Sequence, residues 1–121
     1  MATYVEIKNV KYPASITGKL KDHDWNERAS KSIMLEMTYE DAINIFVDDV
    51  AWNIIQEFED TEVQTDEQGN ETLRVVTKTV SYDNSEYSIA GDIIDHRNGT
   101  VTVKMGKPTA EEILALIEEA F

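Results

Sequence analysis

The chain has 121 residues, 41% of them hydrophobic and 29% charged, with five Gly, two Pro and no Cys. That is the composition of a folded globular chain and not of a disordered or fibrous one, and its length fits a single domain over residues 1–121. Without Cys, disulfides, thiolate catalysis and Cys-ligated zinc or iron–sulfur sites are excluded, and a net charge of −13 argues against direct binding of nucleic acid, which needs Lys and Arg to displace phosphate counterions.

The N-terminus, Met1-Ala2-Thr3-Tyr4-Val5-Glu6, lacks the basic-then-apolar order of an export signal, and no stretch approaches the roughly 18 apolar residues of a membrane span. A cytoplasmic location without membrane contact is expected. Apolar residues then alternate at Val5/Ile7, at Ile16/Gly18/Leu20 and at Ile33/Leu35/Met37, which predicts three strands with one buried face each. A polar connection from Asp22 to Ser30, with Trp25 as its one large aromatic, joins the last two.

At Thr38 the period changes. Thr38-x-x-Asp41 resembles a capping box, and Ala42, Ile43, Phe46, Val47 and Val50 follow at helical spacing, predicting a helix of about three turns. Trp52, Ile54, Gln56 and Phe58 restore alternation, with Asn53, Ile55, Glu57 and Glu59 on the opposite face. Asp60 to Glu71 is polar, acidic and centred on Gly69-Asn70, so a long hairpin with an exposed tip is expected, returning through the Val- and Thr-rich run Leu73–Tyr82. After Asp83-Asn84-Ser85, the runs Tyr87/Ile89/Gly91/Ile93 and Val101/Val103/Met105 flank Asn98-Gly99 and predict a closing hairpin. Pro108-Thr109-Ala110-Glu111-Glu112 opens a C-terminal helix, with Thr109 as its cap. Its stripe of Ile113, Leu116, Ile117 and Ala120, widened by Leu114 and Phe121, is expected to lie buried on the sheet. The order β-β-β-α-β-β-β-β-α predicts an α+β fold, a mainly antiparallel sheet with two helices packed on it.

Candidate chemistry is sparse. Asp22-His23-Asp24 carries metal-donor types, but a solvated turn explains it and the sequence offers no further ligands. Asp92, Asp95 and His96 straddle a hairpin whose Asn-Gly already accounts for the polarity. Glu6-Ile7-Lys8 has the E-x-K ending of a nuclease site, yet no Asp precedes it. No nucleophile elbow, phosphate loop, H-E-x-x-H or EF-hand pattern occurs. The chain is therefore expected to be no enzyme and to need no cofactor or metal.

Charge carries the strongest functional signal. Residues 1–31 hold six Lys/Arg against four Asp/Glu, whereas Ser32–Leu73 holds twelve acidic residues and no Lys or Arg. Such a block, without a compensating cation inside it, predicts a protein partner with a basic surface. Glu57, Glu59, Asp60, Glu62, Asp66, Glu67 and Glu71 of the predicted hairpin are the candidate contact residues. Trp25, a large amphipathic side chain in a charged loop, is the candidate anchor, while Trp52 is expected in the core. Homo-oligomerisation is compatible with the same surfaces. A second reading of the block is an acidic DNA mimic, whose carboxylates imitate phosphates and block a host nuclease or other DNA-binding protein.

Two segments carry a family resemblance: Trp25-Asn26-Glu27-Arg28-Ala29-Ser30-Lys31-Ser32-Ile33 leading into Met37–Ala42, and Ser88-Ile89-Ala90-Gly91-Asp92 leading into His96–Val103. The chain resembles small acidic proteins encoded by tailed phages and prophages of Gram-positive bacteria, often among tail genes. The resemblance implies a viral origin, a place in the host cytoplasm or the virion, and a non-catalytic virion, tail or assembly role. It carries no functional residues with it.

Overall fold

A computed structural model describes residues 2–119. The alternating segments form β1 (Ala2–Ile7), β2 (Val10–Asp22), β3 (Arg28–Leu35), β4 (Asn53–Thr65), β5 (Glu71–Asp83), β6 (Ile89–Asp95) and β7 (Val101–Gly106). Helix α1 (Tyr39–Ile45) lies between β3 and β4, and α2 (Ala110–Glu119) follows β7. The fold is α+β, with the element order that the sequence periods predict. All seven strands join one sheet in the order β5-β4-β1-β2-β3-β7-β6, and every neighbouring pair is antiparallel.

One face of β1, β3 and β7 supplies Val5, Ile7, Ile33, Leu35, Val101, Val103 and Met105 to the core, and Ala42 of α1 with Phe46 at its C-cap closes it. The helix starts where the cap predicts: Thr38 Oγ1 accepts the Asp41 N–H at 3.1 Å, and Glu40 and Asp41 sit favourably in the first turn. It is shorter than the three turns expected. Asp49 takes a left-handed conformation (φ 62°) and donates its N–H to Ser88 O at 2.7 Å, while Asp48 Oδ1 accepts the Ala90 N–H at 2.8 Å. These local bonds tie the chain to the start of β6 and end the helix, so Val50 enters the core from a turn and Val47 stays exposed.

Trp52 is buried, as expected, with its indole Nε1–H donated to Tyr87 O at 3.1 Å and its ring edge-on to Tyr87 at 6.4 Å between centroids. At the root of β4, where it is a central strand between β1 and β5, Ile54 and the outward-assigned Ile55 are both buried although they point to opposite faces.

The second helix departs from expectation. Ile113, Leu114, Leu116 and Ile117 are all exposed, Leu116 at 65%, and none of the described residues of α2 is buried. The stripe call extends to Ala120 and Phe121, which lie outside the described residues. Among the described residues the side-chain bonds that tie α2 to the sheet are those of Arg28 to Glu112 in its first turn, while Trp25 lies on the sheet over Gly91 and Gly106. No helix among the described residues is long and apolar enough to cross a membrane.

Candidate functional site

The long β4–β5 hairpin divides into two parts. Its root is embedded, since β4 pairs with β1 from Asn53 to Glu57. Among the described residues β1 pairs with β4 no farther than Ala2–Glu57, while β4 and β5 continue to pair with each other as far as Thr65–Glu71. The outer half is therefore a two-stranded arm beyond the edge of the third strand. At its tip Asp66 builds the turn: its carboxylate accepts the N–H groups of Gln68 (2.9 Å) and Asn70 (2.8 Å), and Gly69 supplies the positive φ of 83°. These hydrogen bonds, that of Asn70 first, hold the Asp66 carboxyl below its ordinary range.

Strand pairing sorts the arm's side chains onto two faces. Glu59, Thr61, Val63, Leu73 and Val75 share one face with Glu57 and Glu71; Asp60, Glu62, Arg74, Val76 and Lys78 share the other. On this second face Lys78 Nζ bridges Asp60 (2.9 Å) and Glu62 (3.3 Å), which lowers the Asp60 pKa and raises that of Lys78. The acidic block is therefore not without a compensating cation; the cation arrives from the returning strand, outside the block in sequence. Glu57 is likewise near a cation, with Lys11 Nζ at 3.7 Å. Of the seven candidate hairpin carboxylates, Glu59, Glu67 and Glu71 have neither an ion pair nor a side-chain hydrogen bond among the described residues. The first and last flank the exposed patch of Val63, Leu73 and Val75.

The eighth candidate, Trp25, lies far from the arm on the opposite side of the sheet order. It is half-buried and lies on its own sheet: a Cβ added to Gly91 would come within 2.6 Å of Trp25 Cη2, and one on Gly106 within 2.7 Å of Cζ3. The ring is held between cations, with the Arg28 guanidinium 4.9 Å and Lys104 Nζ 5.7 Å from its centroid. Beneath it Asp22, fully buried, accepts from Lys104 Nζ (2.6 Å) and Ser30 Oγ (2.9 Å). The Lys104 ammonium outweighs burial and lowers the Asp22 pKa to about 2.

Buried Arg28 donates to Trp25 O, to Lys107 O and, through both terminal nitrogens, to Glu112 at 2.7 and 3.2 Å. That bidentate pair lowers the Glu112 pKa to about 2 and bolts the first turn of α2 to β3. Glu112 completes a capping box, accepting the Thr109 N–H at 2.8 Å while donating its own N–H to Thr109 Oγ1 at 3.3 Å. Asp22, weighed from sequence only as a metal donor in a solvated turn, is instead buried on Lys104 and Ser30, and Arg28 and Lys104 were not among the candidates drawn from sequence. A signal existed in Gly91 and Gly106, since glycine inside a strand marks close approach of another group.

The remaining candidates are scattered. His23 Nδ1 lies 3.3 Å from Glu27 Oε1 in solvent, Asp95 Oδ1 accepts the Arg97 N–H, and His96 Nε2 contacts Thr102 Oγ1 at 2.7 Å. Each pair serves its own turn, and no group of three or more His, Asp or Glu converges among the described residues. Family models, curated proteins and solved structures give no match to this chain.

Proposed function

We propose that the chain is a non-catalytic accessory protein of phage type, a virion, tail or assembly component, that works by holding another protein with a basic surface. The observation that carries this reading is the arm, which stands clear of the sheet with Glu59, Glu67 and Glu71 unpaired around an apolar patch. Carboxylates steer a basic partner toward the arm, and the apolar patch supplies area to bury once it docks. The DNA-mimic reading has less support, because Lys78 interrupts the row of carboxylates between Asp60 and Glu62.

The test uses the tagged full chain to recover its partner from producing cells, followed by affinity measurement with both proteins purified. Replacing Glu59, Glu67 and Glu71 together by Gln spares the turn and the Lys78 bridges; it should weaken binding roughly tenfold or more, mostly through slower association, and flatten the salt dependence. Unchanged affinity would refute the arm as the contact. Competition by duplex DNA for the same surface would instead promote the DNA mimic.

A further inference from the structure

A basic surface that suits the arm lies on this chain itself. Strand β2 runs on from Ala14 to Asp22 after its pairing with β1 has ended at Pro13, so that stretch pairs only with β3 and its other edge is open. Near its end the register shifts between Lys19 and Asp22, and Leu20 stands 92% exposed between Lys19 and Lys21. Neither lysine has an ion pair among the described residues, although the chain has a large excess of carboxylates. The neighbouring Asp22 does not neutralise them, because it is buried on Lys104.

This stretch complements the arm in charge and in exposed apolar area. It offers the exposed Leu20, with unpaired Lys19 and Lys21 as its chain neighbours across the register shift; the arm offers Val63, Leu73 and Val75 between two unpaired carboxylates, Glu59 and Glu71. Both also present a strand edge, β2 after Pro13 and β4 after Glu57, where alternate N–H and C=O groups lack a sheet partner among the described residues. We infer that the arm of one copy docks on the Lys19-Leu20-Lys21 end of β2 of a second copy, a head-to-tail contact that can repeat from copy to copy. The inference rests on the reading of the arm as a protein-binding element and names a second copy as its partner. The net negative charge of each copy opposes association at long range, but at physiological salt charges beyond about 8 Å are screened and the local pairs decide. Because the two surfaces differ, the contact propagates from copy to copy into rings or filaments unless the rotation between copies is two-fold, in which case two reciprocal arm contacts close a dimer.

The test is the oligomeric state of the purified full chain, by sedimentation velocity over a rising concentration series at 0.15 M salt. The wild type should shift to larger species with concentration. The β2 variant Lys19→Glu/Lys21→Glu and the arm variant Glu59→Lys/Glu71→Lys, all four at exposed positions, should each remain monomeric with an unchanged circular-dichroism spectrum. Mixing the two variants should restore association, since a basic arm then meets an acidic β2 and the unaltered surfaces meet as before. A wild type that stays monomeric throughout overturns the inference and leaves the proposed arm function to its own test. Association that persists in either variant alone, or that mixing does not restore, overturns it as well.

Discussion

The inner and outer halves of the β4–β5 hairpin are made of similar residues and meet opposite fates. Ile54 and Ile55 at the root are buried, whereas Val63, Leu73 and Val75 in the arm are at least 60% exposed. All five are strand-forming apolar residues. What separates them is their place in the sheet: Ile54 and Ile55 lie where β4 is a central strand between β1 and β5, whereas among the described residues the outer rungs pair only with β5. Apolarity in a strand predicts burial only where the topology supplies a covering layer. A similar contrast separates the helices, since α1 closes the core and α2, with its own apolar stripe, closes nothing.

The sharpest way to break this comparison is to truncate each region. Trp52→Ala, in the embedded part, should cost about 3–5 kcal/mol of stability and is expected to lower the melting temperature severely. Gly106→Ala should cost about 1–3 kcal/mol, because the new methyl meets both the Trp25 ring and Arg28 Cδ at 2.8 Å; a shift in Trp25 fluorescence should accompany it. If that variant melts like the parent, the Trp25 contact is looser than described.

Acid should act on the loop and the helix root before the core. Asp22 and Glu112 are both lowered to about 2 from ordinary values of 3.8 and 4.5. A carboxyl whose folded-state value lies below its unfolded one stabilises the fold when ionised, so both contributions are present in full above about pH 4.5 and are lost as the pH falls toward 2. Acid titration of amide exchange should show α2 and residues 22–28 opening in that window, and Glu112→Gln should abolish the α2 component. The smallest effect is expected from Leu116→Ala, within about 0.5 kcal/mol, since the side chain is exposed. A loss of several kcal/mol there would mean that α2 is buried after all.

Most of the framework was legible because it depends on local periods. Alternation at Val5/Ile7, Ile33/Leu35 and Val101/Val103/Met105 gave strands, Thr38 gave the start of α1, and Asn98-Gly99 gave the last hairpin. The end of α1 at Ile45 was not legible, because Asp48 and Asp49 bond Ala90 and Ser88, partners far away in sequence. Nor was the exposure of α2, whose stripe has the same spacing as a core helix. At the candidate site the sequence supplied the carboxylates but not their pairing: Lys78 finds Asp60 and Glu62 only through the register of β4 and β5, and Lys104 reaches Asp22 only once β3 and β7 are aligned.

The sheet order also dictates an order of assembly. Strands β4 and β5 are joined by the short turn Asp66–Asn70, so their ladder can close as a local hairpin on a timescale of roughly microseconds. The ladder that completes the core joins Ser30 to Gly106, across most of the chain, and must bear the entropy of closing that loop before any packing returns it. The arm is thus expected to form while β3 still waits for β7, with that late closure setting the rate of folding. Substitutions in β3 or β7 should therefore slow folding, whereas substitutions in the outer arm should leave its rate untouched.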